Sequence, residues 1–445
     1  MINPTLSDVN VAFVHSVKVD VDEDKFKEFV EKNQGYQWMV EDPGSRHPKP
    51  DREELNSPIS DYLLVEKFFL SKRLYHNVRK DLLISRVSPN REFTLKFPLG
   101  NRDSNREITV SPDIVFSYYR GLGVLTTTIV LRSLDISVQE LIFLKSLRWM
   151  ARTGPDNVPK IKIAYEDSTD EASFTTLFDD IIDHYLRDIV NPLVESDVIL
   201  DSIEVHDSNI GVELFERNRD KLLFGLLTGD EGYRMNTDDM VADYLENGDI
   251  EVHYREYFRY YYTRTSLLGL FSEEYPNSKR QFAGEYAERH GYISPQTDFI
   301  NLVSSVPNLS DGHLLTAEVA LVRYTLLREI DRRLNSEVAI GKTDEDPIQD
   351  REIDALLDLK HDITQTLTHV DLLTNSDLWV NLPISIDHVF GYKNTRKNLE
   401  EKIAVIDETI QSRYNKRQQK RRRLIALASA ILTLIIAGAA VIRFI

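Results

Sequence analysis

The apolar positions in the first part of the chain switch repeatedly between two periods. Residues 11–17 carry a strand pattern and residues 24–32 a helical one. A charged stretch with Pro43, Gly44, Pro48, Pro50 and Pro58 follows and reads as an exposed excursion. The pattern predicts a helix over 61–84. Phe93, Leu95 and Phe97 then alternate with Thr94 and Lys96, the period of a half-buried strand. Strand signals continue over 108–110, 114–119 and 124–131, the last β-branched enough to be central. Ser137 and Glu140 make a capping box, so a helix should begin there and run to about Met150. A strand is expected over 161–165. Phe174, Phe178, Ile181, Ile182, Tyr185 and Ile189 then form an apolar stripe of period 3.6, on a helix that must end before Asn191 and Pro192. Further strand-like runs lie at 198–205, 222–227 and 250–262. Strands interspersed with helices predict an α+β or α/β domain over residues 1–305, a mixed sheet with helices packed on it.

The strand signal ends near residue 310. Leu315, Val319, Val322, Leu326 and Ile330 form one helix face. Asp346 and Pro347 look like an N-cap and first-turn pair. Ile353, Leu356, Ile363, Leu367 and Val370 then keep heptad spacing, broken once at Lys360. A last helix should start near Asn394. Its Leu399, Ile403, Ile406 and Ile410 are spaced 4, 3 and 4, a short coiled-coil seam. No Pro or Gly interrupts residues 394–437. Residues 306–423 therefore read as a helical stalk whose final helix continues into the segment 424–442.

That segment is LIALASAILTLIIAGAAVI, 19 residues without a charge. At 1.5 Å per residue it spans close to ~30 Å, the thickness of a hydrocarbon core, so a single C-terminal transmembrane helix is expected. Lys416, Arg417, Lys420, Arg421, Arg422 and Arg423 stand directly before it. Basic flanks remain on the cytoplasmic side, which puts the N-terminal body in the cytoplasm. The start of the chain carries no charged-then-apolar leader pattern, in keeping with a body that is not exported. Within the segment Ala426, Ser429, Ala430, Thr433, Ala437 and Ala440 are small. They either allow close packing against another helix or are the ordinary small residues of a weakly hydrophobic anchor.

Charge sharpens this division. From Gln411 onward there are eight Lys/Arg and no acids, while residues 1–410 hold 46 basic and 72 acidic side chains, a net of −26. A body so acidic repels nucleic acid, and none is expected as a partner. With no cysteine in the chain, disulfides, thiolate zinc sites and cysteine nucleophiles are excluded.

Local motifs nominate no catalytic centre. Gly341, Lys342 and Thr343 resemble the end of a phosphate-binding loop. The pattern needs glycine at position 336, where Ser336 stands, and Asp344, Glu345 and Asp346 would repel a triphosphate. Asp20, Asp22, Asp24 and Glu31 fit positions 1, 3, 5 and 12 of a calcium loop, but Lys25 occupies the glycine position. Phe26 and Phe29 fit the start of an amphipathic helix better. Gly121 and Gly123 lead into a strand rather than a helix, which suits a turn and not a dinucleotide site. Asp179, Asp180, Asp183 and His184 lie opposite an apolar helix face, where a solvated surface outweighs metal ligation. The tyrosines at 254, 257, 260, 261 and 262 read as sheet packing.

An α/β body, a helical section and one long helix entering a membrane resemble the CorA-type magnesium transporter family in their order of parts, over most of the chain and especially residues 310–442. The stretch 262–271, followed by the helix with Tyr324, Leu326 and Leu327, is also similar to CorA-like proteins. That family has two spans and ends the first with Gly-Met-Asn. Here Gly438 is followed by Ala439 and Ala440, and no second span is present in the sequence, so no ion-selecting residues carry over. The resemblance implies a CorA-like cytoplasmic domain, with magnesium as its only implied cofactor. Three functions remain open: a homo-oligomeric membrane sensor or scaffold, a divalent-cation transporter whose assembled spans offer Ser429 and Thr433 to a pore, and a membrane-surface enzyme whose site leaves no local motif.

Overall fold

In a computed structural model, residues 5–32, 82–87, 93–99, 106–119, 122–150, 160–165, 168–194, 199–205, 212–248, 250–255, 258–263, 265–271, 311–340, 350–374 and 392–444 are described. In chain order these form β1 (Thr5–Val21), α1 (Glu23–Lys32), β2 (Leu82–Val87), β3 (Thr94–Leu99), β4 (Arg106–Val110), β5 (Asp113–Tyr119) and β6 (Val124–Ser137). Next come α2 (Val138–Met150), β7 (Lys160–Tyr165), β8 (Ser168–Ser173), α3 (Leu177–Leu186), β9 (Val190–Val194), β10 (Ile199–Val205) and α4 (Val212–Thr228). They continue with α5 (Asp238–Asn247), β11 (Glu251–Arg255), β12 (Phe258–Thr263), β13 (Ser266–Phe271), α6 (Asp311–Ile340), α7 (Asp350–Thr374) and α8 (Tyr392–Phe444). The protein is a mixed α+β structure.

It divides into two compact units, Met1–Leu326 with His369–Tyr392, and Leu327–Thr368 with Lys393–Ile445. The first unit is built on a nine-stranded sheet of order β11-β12-β13-β10-β1-β6-β5-β2, with β9 paired to β1. Among the described residues only β10 and β13 run parallel; every other described pair in it is antiparallel. A second sheet has the order β4-β3-β7-β8.

Strand alternation explains why both faces of the large sheet are covered. Phe13 sits opposite Ile129 and Val11 opposite Leu131, and these side chains share one core with Leu95, Phe97, Ile161 and Ile163 of the smaller sheet and with Phe174 and Phe178. On the opposite face Val14, Ser16, Ser117, Tyr119, Thr126 and Thr128 are buried as well. The first half of α6 reaches this face: Thr325 donates to the Ser16 hydroxyl at 3.1 Å, and Thr126 donates to Oε1 of Glu318 at 2.6 Å.

Most predicted elements are present. The capping box forms as expected: Ser137 N donates to Oε2 of Glu140 at 2.9 Å, and Glu140 N donates to the Ser137 hydroxyl at 3.2 Å. Two expectations are corrected. Residues 222–227 are not a strand but the end of α4, and all six are buried. A run apolar on every side has no period to separate helix from strand, and the helix-forming residues before it decide. Residues 82–84, placed at the end of a helix over 61–84, instead begin β2, which pairs antiparallel with β5. The rest of that predicted helix lies outside the described residues. Several elements carry no sequence signal used above, among them β8, β9, β13 and α5. Strand β8 is the polar STDEAS at a sheet edge, and α5 is capped by Thr237, whose hydroxyl accepts from Met240 N at 3.3 Å.

The described residues of the second unit are all helical. Leu327, Ile330 and Leu334 of α6, Leu359, Ile363 and Leu367 of α7, and Leu399 and Ile406 of α8 are buried apolar side chains in it. Each pair of helices is also joined by charge. Arg333 meets Asp362 at 3.5 Å, Lys360 donates to both oxygens of Asp407 at 2.6 and 2.8 Å, and Lys402 donates to Asp331 and to Oδ1 of Asn335. The three segments form a three-helix bundle.

Candidate functional site

The sequence concentrates its unusual features on α8, a single helix of 53 residues. Its first residue, Tyr392, has the Arg323 guanidinium 3.9 Å above its ring. Arg396 then pairs with Glu400 at 3.0 Å, one helical turn on. Of the seam, Leu399 and Ile406 are buried in the three-helix bundle, and Ile403 and Ile410 are half-buried. Between and beside these two positions Lys402 bonds to Asp331 and Asn335 of α6 and Asp407 to Lys360 of α7, so the seam's two deepest positions lie on the side of α8 that faces helices of the same chain.

Beyond Ile410 the helix turns basic. Lys416, Lys420, Arg421, Arg422 and Arg423 are exposed and Arg417 is half-buried. No Asp or Glu lies within four residues of any of the six. The collar instead sets Lys416 four residues from Lys420, and Arg417 four from Arg421, where like charges repel by about 0.2–0.5 kcal/mol per pair. Directly after it Leu424 and Ile425 are each 68% exposed, and Leu427, Ile431 and Leu432 are exposed too. Ser429 and Thr433 lie one turn apart in this stretch, and each donates its hydroxyl proton to its own helix: Ser429 to the Ala426 carbonyl at 3.0 Å, Thr433 to the Ser429 carbonyl at 2.8 Å. Among the described residues, no helix is long and apolar enough to cross a membrane; the side chains described in α8 end at Thr433, ten residues into the apolar segment.

The other sequence candidates resolve into ordinary structure where they are described. Asp22 caps α1, its Oδ1 accepting from Lys25 N at 3.2 Å. That bond and the Lys25 ammonium hold its carboxyl below the usual carboxylate range. Phe26 is fully buried, as a helix start requires and a calcium loop does not. Gly123 adopts a φ of 61° in the turn into β6. Asp183 pairs with Arg187 at 2.8 Å, and His184 packs its ring 4.2 Å from that of Tyr165. Among the described residues no group of three His, Asp or Glu could hold a metal ion. The 341–343 motif lies outside the described residues.

Two buried polar clusters escaped the sequence reading. In the first, Lys145 and Asp201, each 1% exposed, pair at 3.2 Å. The Ser266 hydroxyl donates to Oδ1 of Asp201 at 2.6 Å, and Lys145 donates to Ser266 and to the Leu226 carbonyl. In the second, Glu318 accepts from Tyr119 and Thr126 on the sheet face beneath α6. Burial and the adjacent carboxylate raise the Tyr119 hydroxyl well above its usual range. A lone charge inside an apolar run is the only sign of either: Lys145 within LIFLKSL and Asp201 within VILDSI for the first, Glu318 within LLTAEVALV for the second. Both are closed to solvent, so they fasten elements together rather than meet a substrate.

No protein family, characterised protein or solved structure matches the chain. The collar and the apolar segment of α8 therefore stand on their own geometry.

Proposed function

We propose that the protein is a single-pass membrane protein, with residues 424–442 of α8 crossing the bilayer and residues 1–423 on the cytoplasmic side. One observation carries the reading: a basic collar runs without a break into a helix surface of exposed Leu and Ile. Large aliphatic side chains held in water are unfavourable by about 25 cal/mol per Å² of apolar area, so such a surface calls for an apolar partner. The sequence continues uncharged to Ile442, long enough for a hydrocarbon core of about 30 Å. The back-bonded hydroxyls of Ser429 and Thr433 suit that setting, because their protons are satisfied without water or a pore.

In this reading the sheet-based unit is a CorA-like cytoplasmic module and the protein is a homo-oligomeric sensor or scaffold rather than a transporter. The order of parts supports the module: a mixed sheet, long helices, then one helix to the membrane. Contact between copies falls to the span, since Leu399 and Ile406 are occupied within the chain. Alkaline carbonate extraction of membranes from expressing cells tests the anchor. The full chain should stay in the pellet, and a Leu427→Arg/Ile431→Arg variant should move to the supernatant, because charges at mid-span are costly. Wild-type protein released by carbonate overturns the proposal.

A further inference from the structure

We infer that α8 has two seats in the three-helix bundle, one helical turn apart, and that a step between them is a regulatory device of the fold. The inference rests on the bundle and not on the membrane reading above. Leu399 and Ile406 fill the bundle's core, at 0% and 3% exposure. Four residues after each stand Ile403 and Ile410, half-buried on the same side of α8. Four residues are about one turn, so the two pairs share one stripe, and the members of each pair are seven residues apart. Drawing α8 back along its axis by four residues, about 6 Å, brings Ile403 to the place of Leu399 and Ile410 to the place of Ile406. The core then holds two aliphatic side chains of like volume, a swap that packed cores tolerate. Packed helices move between discrete arrangements of this kind rather than by degrees.

The polar contacts carry over to the second seat. Arg323 meets Tyr392 and Asp331 meets Lys402, so α6 and α8 run in the same direction. Arg333, close to Asp331 on α6, meets Asp362, while Asp407, further along α8, meets Lys360, earlier on α7; α7 therefore runs against α8. Lys402 already spans one turn of α6 by donating to Asp331 and Asn335, and after the step it keeps Asp331. Asp407 comes level with Thr364, whose hydroxyl now donates to the Lys360 carbonyl of its own helix at 2.8 Å and can turn to the carboxylate. Gln411 takes the place of Asp407 beside Lys360. Two contacts hold the first seat alone and act as its latch: Lys360 with both oxygens of Asp407, and the Arg323 guanidinium over the Tyr392 ring. No Pro or Gly interrupts residues 394–437, so a step at the bundle is passed along α8 without a hinge.

Spin labels on Gln365→Cys of α7 and Gln419→Cys of α8 read the step in the full chain, since no other thiol is present. Both sites are exposed, and neither takes part in the contacts above. Labelled protein is diluted with unlabelled chain, so that only distances within one copy are measured by pulsed electron resonance. With the latch intact, one main distance is expected. Lys360→Glu sets a carboxylate against Asp407 in the first seat and against Gln411 in the second. It should raise the share of a second distance, about 6 Å shorter, by on the order of tenfold relative to the first. Adding Ile403→Asn, which puts an amide into the core of the second seat, should remove the short distance and restore the long one. A single long distance in Lys360→Glu overturns the proposal. So does a second distance whose share Ile403→Asn leaves unchanged, because it would then report fraying and not a second seat. Should Lys360→Glu unfold the bundle, Tyr392→Ala opens the other half of the latch and is read against the same two outcomes.

Discussion

The Tyr119 hydroxyl donates to Oε1 of Glu318 at 3.1 Å, across 199 positions of sequence. With Thr126 bonding to the same oxygen, it fixes α6 to the polar face of the central strands. Glu318 is fully buried, so its removal strands the Tyr119 hydroxyl in the interior and leaves Thr126 its longer 3.5 Å bond to the Ser117 carbonyl. Glu318→Ala should lower unfolding free energy by about 2–4 kcal/mol, and Tyr119→Phe by about 1–3 kcal/mol. A double-mutant cycle by chemical denaturation should show strong non-additivity. Additive effects would mean that the pair is not coupled.

The Lys145–Asp201 pair calls for the opposite kind of comparison. Removing one member of a pair this deeply buried leaves an uncompensated charge, so Asp201→Asn or Lys145→Met alone should cost about 3–5 kcal/mol. Removing both charges together should cost far less than the sum. Thermal unfolding of the two single variants and the double variant checks this.

Local physics made much of this fold readable. The capping box at Ser137 and Glu140 is a short-range device whose residues name their own partners, and it formed as its spacing demands. The alternation through Phe93, Leu95 and Phe97 marked a strand for the same reason. Residues 222–227 failed because burial on all sides erases the period that separates helix from strand. Glu318 and Lys145 failed because their partners lie far away in sequence, and no window short enough to scan contains both members. The basic run at 416–423 was legible as a charge pattern, which depends on composition and order alone. The seam at Leu399 and Ile406 was legible as a buried face, but not the identity of what covers it: α6 and α7 are in the same chain.

That last point gives a prediction. Leu399 is fully buried and Ile403 only half-buried. Leu399→Ala should cost about 2–5 kcal/mol, and Ile403→Ala distinctly less. Because the bundle is formed within one chain, unfolding of this unit should be independent of protein concentration. A melting temperature that rises with concentration would place the seam between chains instead.

On α3, burial is the leading influence on the Asp180 carboxyl and raises it from the usual carboxylate value. A carboxyl whose folded value is raised binds its proton more tightly in the folded state. It therefore detracts from stability at neutral pH and ceases to do so as pH falls through that value. Asp180→Asn should raise the melting temperature slightly at neutral pH, with the difference vanishing in acid. A pH series of thermal melts would show it; a difference that grows in acid would contradict the assignment.

The central claim is that one helix carries the chain from the cytoplasm through the bilayer. The absence of cysteine allows a direct measurement, because each introduced thiol is the only one present. Full-length protein carrying Ser412→Cys or Phe444→Cys is expressed, and intact cells are treated with a membrane-impermeant maleimide. Labelling of Phe444→Cys on intact cells, with Ser412→Cys labelled only after permeabilisation, is the predicted result. Labelling of both positions only after permeabilisation would place the whole of α8 on one side of the membrane and contradict the account.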